Sequence, residues 1–109
     1  ISTDNEEIAA GMEPGAPPIS DRIAALEELH DGGVRTWAFI APMMPMDPEK
    51  LFSMLSPHVD YVMMDALNYS GMVKGVLGAR GWQEALDRNY IESRRAALKR
   101  LFGAGRCKI

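Results

Sequence analysis

The chain has 109 residues, 47% of them apolar and 25% charged, which bounds it to one small domain of ordinary globular composition. Pro, Gly or charge interrupts every apolar segment, so none approaches the roughly 18 continuous residues of a membrane span. The formal net charge is −3 with the two signs interspersed, which argues against a phosphate-tracking nucleic-acid surface.

Residues 1–3 read as the tail of a strand, and the polar, acidic start is not a secretory signal. The chain opens on Ile and not Met, as expected of a processed chain or an excised domain. Asp4 is a helix N-cap type with Glu6 and Glu7 in the first turn, and this short helix stops near Gly11. The run Met12-Glu13-Pro14-Gly15-Ala16-Pro17-Pro18 excludes regular structure. Ser20 is expected to cap a second helix with Ile23, Leu26 and Leu29 on one face, closed by Gly32-Gly33. A Glu13–Arg22 pair would pin the proline-rich loop to it.

Residues 34–41, with Trp37, Phe39 and Ile40, form a short apolar run typical of a strand buried on both faces. Asp47-Pro48-Glu49 is a strong helix start, combining cap, Pro at the first position and an acid in the first turn. That helix carries Leu51, Phe52, Met54 and Leu55, and Ser56-Pro57 stops it. A second buried-type strand spans 59–64 and ends at Asp65. A loop with Gly71, Gly75, Gly78 and Gly81 follows, then a helix over about 82–102 with a break near Asn89. Its stripe is Ala85, Leu86, Ile91, Leu98, Leu101 and Phe102. The basic stretch Arg94, Arg95, Lys99, Arg100, Arg106 and Lys108 alternates with Ala and Leu at helical spacing, as a solvated helix face does. Cys107 stands alone, so the chain holds no internal disulfide and no iron–sulfur cluster, and a reducing, cytoplasmic setting is expected.

Strand and helix alternate with short connections, which implies parallel strands and right-handed crossovers. Two full strands and a remnant make a poor isolated sheet. The expected fold is therefore α/β, a partial (β/α) barrel with short parallel strands flanked by helices, spanning 1–109 as a single domain. An open edge and an exposed apolar face should follow, and with them self-association.

Ligands of parallel α/β folds bind at the C-terminal strand ends, here residues 2–6, 41–47 and 65–69. Asp47 reads best as a helix cap. Asp4 reads equally as a cap or a ligand contact. Asp65 and Asn68 either face the barrel mouth or close a turn on their own backbone. The methionines read as core or cavity lining. His30 and His58 have no second ligand at metal spacing, so no metal site and no catalytic residue are assigned.

Four segments carry a resemblance: Ser2-Thr3-Asp4-Asn5-Glu6-Glu7-Ile8, then Met12-Glu13-Pro14-Gly15-Ala16-Pro17-Pro18, then Arg22-Ile23-Ala24-Ala25-Leu26, then Ile40-Ala41-Pro42. In that order they resemble the radical S-adenosylmethionine (radical SAM) branch that includes spore photoproduct lyase, over roughly residues 1–70. The resemblance implies an upstream half of the barrel with a CxxxCxxC loop holding a [4Fe–4S] cluster, which cleaves S-adenosylmethionine to a 5′-deoxyadenosyl radical. Ser2 then matches the serine that contacts the cofactor. Asp4 stands where the lyase-like members often have Asn. Ala41 and Pro42 match a strand end near the adenine. Asp65 and Asn68 are cofactor candidates from barrel geometry alone. This chain lacks the cluster motif, so the expectation is a cofactor-pocket fragment inactive alone, with the missing half as its partner. The lesion-reducing cysteine of the lyase is also missing, so DNA repair is not implied. The alternative is a non-catalytic α/β interaction or ligand-binding domain.

Overall fold

The computed structural model describes residues 1–41, 43–64 and 87–108. Among them the chain forms α1 (Glu6–Met12), α2 (Ile19–Asp31), β1 (Trp37–Ile40), α3 (Pro48–Leu55), a 3₁₀ turn (Ser56–His58), β2 (Tyr61–Met64), α4 (Arg88–Phe102) and β3 (Cys107–Lys108).

The strands form one parallel sheet in the order β1-β2-β3. Trp37 is in register with Tyr61 and Ile40 with Met64, and Val62 is in register with Cys107. Side chains alternate across a pleated sheet, so Ala38, Ile40, Val62 and Met64 share one face. That face is buried beneath α3 and α4, which contribute Leu51, Leu55, Ile91, Leu98 and Phe102 to the same core. Leu51 and Leu55 are four residues apart on α3, and Ile91, Leu98 and Phe102 recur on one face of α4. Phe52 and Phe102 join the two helices edge to face, ring centroids 4.8 Å apart. Arg106 ties the approach to β3 onto the 3₁₀ turn, donating to the carbonyls of Ser56 at 2.8 Å and Val59 at 2.9 Å.

This architecture corrects the expected barrel. Two strands have four residues and the third has two, and the described sheet is open. A barrel wall bends back through the tilt and stagger of many strands, about eight in the small closed ones. Three short strands are too few to form a part of one. The fold is a mixed α/β domain built on an open parallel sheet. Residues 1–3 are not a strand, although the Ile1 nitrogen donates to the Phe39 carbonyl at 3.1 Å.

The strand over 34–41 is not buried on both faces either. Trp37 and Phe39 are each 46% exposed, on the face that α3 and α4 do not cover. Trp37 stacks on Tyr61 with ring planes 2° apart. On α2, Ile19 is buried, Ile23 and Leu26 are half-buried against the core, and Leu29 is 49% exposed.

Helix ends show where local sequence decides. Asp47 accepts from the Glu49 and Lys50 amides with Pro48 at the first helical position. Asp4 is not the cap of α1: Asn5 Oδ1 accepts from the Glu7 and Ile8 amides. Ser20 does not cap α2, which begins at Ile19 after Pro18. The Glu6 carboxylate does this from α1, accepting from the Ile19 amide at 2.6 Å and the Ser20 amide at 3.5 Å. Gly33 closes α2 at φ +86°, in the left-handed region that favours glycine. Arg22 pairs with Glu13, so the proline-rich loop is pinned as expected. The last helix starts at Arg88 behind its cap Asp87, and the predicted start near 82, with Ala85 and Leu86, lies outside the described residues.

Candidate functional site

The candidate rim lies at the C-terminal end of β1, where the N-terminal residues meet the 41–47 segment. Three polar contacts stitch the two together. Met44 donates its amide to the Ser2 carbonyl at 3.1 Å. Thr3 Oγ1 donates to the Pro45 carbonyl at 2.6 Å and accepts from the Asn5 amide at 3.1 Å. Asp4 Oδ1 accepts from the Asp47 amide at 2.8 Å. The cause is burial: Met43 and Met44 are fully buried and Met46 is nearly so. A loop drawn into the core must find partners for its backbone polar groups, and residues 2–4 supply them.

Of the sequence-derived candidates, Ser2 and Asp4 are brought together with Ala41 at this rim. Ser2 is 3% exposed, and among the described residues its hydroxyl makes no hydrogen bond. The Asp4 side chain is 8% exposed, with Oδ2 lying 3.9 Å from Lys50 Nζ. Its carboxylate therefore braces the start of α3, a role outside the two readings the sequence left open. Ala41 is half-buried just after β1. Pro42, Asp65 and Asn68 lie outside the described residues.

Two further residues meet the rim: Tyr90, which no sequence pattern marked, and Arg94, which the sequence placed on a solvated helix face. Tyr90 and Arg94, one turn apart on α4, both reach Met46. The Tyr90 hydroxyl accepts from the Met46 amide at 3.2 Å and faces the Met46 carbonyl at 3.4 Å. Arg94 Nε donates to that same carbonyl at 3.2 Å, with its guanidinium 4.3 Å from the Tyr90 ring centroid. The one available signal was their i,i+4 spacing, which on a basic helix reads as a solvated face.

A second polar cluster sits at the opposite, N-terminal ends of the strands, beside a cleft of about 400 Å³ lined by His30, Gly33, Val34, Arg35 and Asp60. Asp60 Oδ2 accepts from the Thr36 amide at 2.8 Å and lies 4.0 Å from His30 Nδ1. The Thr36 hydroxyl donates to the His58 carbonyl at 2.6 Å. These bonds close the turns that lead into β1 and β2, which is a structural task. Among the described residues no group of three or more His, Cys, Asp or Glu could hold a metal ion. No described helix is long and apolar enough to cross a membrane.

Burial pushes the Cys107 thiol above its ordinary value, with Lys99 and Arg95 pulling it partly back. A lone thiol held in its neutral form does not fit a cluster ligand, which binds as a thiolate in a set of several.

An uncharacterized protein of Methanocaldococcus jannaschii is 30% identical to this chain over 84 residues, 75% of this chain and 30% of that protein. The chain thus spans under a third of the length of the curated relative it matches. No family model matches the chain. No solved structure matches it.

Proposed function

We propose that this chain forms part of the S-adenosylmethionine and substrate pocket of a radical SAM enzyme, with the [4Fe–4S] cluster held by polypeptide outside it. The observation that carries the reading is the placement of the family-like N-terminal segment beside the end of β1: residues 2–4 bond to residues 44, 45 and 47, which follow shortly after the family-like Ile40-Ala41-Pro42 in sequence. Ser2, a nearly buried residue beside the C-terminal end of β1, carries a hydroxyl of the kind that would suit a polar cofactor atom. Ser2 would hold the cofactor, Ala41 would offer its small side chain to the adenine, and Asp4 would keep the rim in place. Pro42 remains a cofactor candidate on the resemblance, whereas Asp65 and Asn68 rested on the barrel geometry that the open sheet replaces and are not carried forward. S-adenosylmethionine, reduced at a cluster bound elsewhere, supplies a 5′-deoxyadenosyl radical. This chain's own donor set does not fit the cluster, so the chain is inactive alone, and its partner is the rest of the enzyme. A cytoplasmic setting goes with such a cluster.

The test is anaerobic reconstitution of the intact protein with iron and sulfide, then reduction in the presence of S-adenosylmethionine. Formation of 5′-deoxyadenosine is expected, and a folded, cluster-loaded protein that forms none contradicts the reading.

A second reading rests on the exposed Trp37 and Phe39. An aromatic sheet face of this kind also suits a non-catalytic interaction domain. That reading predicts a folded intact protein that binds neither cluster nor S-adenosylmethionine.

A further inference from the structure

The loop between β1 and α3 is held from two sides by elements far apart in sequence. On one side are the bonds from residues 2–4. On the other are Tyr90 and Arg94 of α4, which together engage both backbone polar groups of Met46. Met46 immediately precedes Asp47, whose amide is the one that Asp4 accepts. A shift of the Met46 peptide is therefore passed to the Asp4 carboxylate through one covalent neighbour and one hydrogen bond. The stacking of Arg94 on Tyr90 makes the two side chains a single unit. Ser93 Oγ, which donates to the Tyr90 carbonyl at 2.6 Å, also accepts from Arg94 Nη1 at 3.3 Å.

A basic residue that only solvates a helix face has no reason to sit over a tyrosine ring and aim Nε at a buried loop carbonyl. Such a loop, with Met43, Met44 and Met46 buried, loses its geometry when its backbone partners are removed. We infer that Tyr90 and Arg94 are positioning residues that set the rim formed by Ser2, Asp4 and residues 43–47. This inference rests on the reading of that rim as the cofactor site. Neither residue touches the cofactor in this account. They act through Met46 on the groups that do.

The experiment compares Tyr90→Phe, Arg94→Ala and Arg94→Lys in the intact protein. Phe52→Leu, which trims the Phe52–Phe102 ring contact, serves as a control for general loss of stability. The first readout is amide hydrogen exchange at Met44 and Asp47, neither of which bonds to α4. Tyr90→Phe and Arg94→Ala are expected to speed exchange at both amides by about fivefold. Arg94→Lys should restore little, because lysine lacks the planar fork that stacks and donates together. The control should leave the ratio of these amides to the rest of the chain unchanged. Faster exchange confined to Met46, or equal acceleration in the control, overturns the inference.

The second readout is S-adenosylmethionine affinity, expected to fall by about fivefold in the first two variants and not in the control. Variants that bind as tightly as the unaltered protein overturn the positioning role and leave the cofactor site standing. An unaltered protein that does not bind at all removes the cofactor reading, while the exchange data still decide whether the clamp sets the rim.

Discussion

At the scale of single residues, helix termini show how far a local pattern reaches. Asp47 accepts two amides within its own first turn. Asp47→Ala should therefore lower stability by about 1 kcal/mol, read as an earlier urea midpoint at unchanged slope. The pattern Asp-Pro-Glu made this cap legible, because every partner lies within three residues. Asp4 has the same chemistry and a different task, because its partner amide is 43 residues away. No spacing in the sequence could show that. Glu6 was equally hidden: it reads as an acid in its own first turn, and it caps α2 across the proline-rich loop. Glu6→Ala should cost about 1 kcal/mol and loosen the Ile19 amide, detectable as faster hydrogen exchange there. Cys107 sets a pH dependence. Its thiol is raised by burial, so the folded chain holds that proton more tightly than the unfolded chain does. The resulting stabilisation is fully present below the ordinary thiol value of 9.0 and is lost as pH rises through the higher folded value. Cys107→Ser should flatten that alkaline loss, and a variant that keeps the full slope assigns it to another group.

At the scale of elements, burial separates helices that look alike in sequence. Leu98 of α4 is fully buried against the sheet, and Leu29 of α2 is about half exposed. Leu98→Ala should cost about 2–5 kcal/mol and Leu29→Ala under about 0.5, compared by denaturant unfolding. Similar losses at the two positions would mean that α2 packs far more tightly than its exposure indicates. The apolar stripes of α3 and α4 were readable because three- and four-residue spacing produces a face whatever covers it. The burial of β1 was misread for a related reason. Trp37 and Phe39 alternate with Ala38 and Ile40, so the run is apolar on both sides, yet α3 and α4 cover one side only. Apolar composition shows that a face suits burial and cannot show what lies over it.

At the scale of the whole molecule, chain order conveyed the alternation of strand and helix, but not the extent of the sheet. Short strands joined by helices suggested a curved wall, and among the described residues the sheet is instead open and three strands wide. The rim at the end of β1 was legible as a region, through Ser2, Asp4 and Ala41. Its bracing by Tyr90 and Arg94 was not, because a side chain aimed at a backbone carbonyl 48 residues away leaves no mark in composition. The uncovered face has a consequence for the isolated chain. Trp37 and Phe39 standing in solvent should drive self-association, visible as a sedimentation coefficient that rises with concentration. The Trp37→Ser/Phe39→Ser double variant should abolish that rise.

The most direct test of the cofactor reading is isothermal titration of S-adenosylmethionine into the isolated 109-residue chain and into the intact, anaerobically reconstituted protein. Tight binding by the intact protein and weak or no binding by the isolated chain are expected, because in the proposed enzyme the cluster would anchor the amino-acid end of the cofactor. A well-folded, cluster-loaded intact protein that takes up no S-adenosylmethionine would contradict the account.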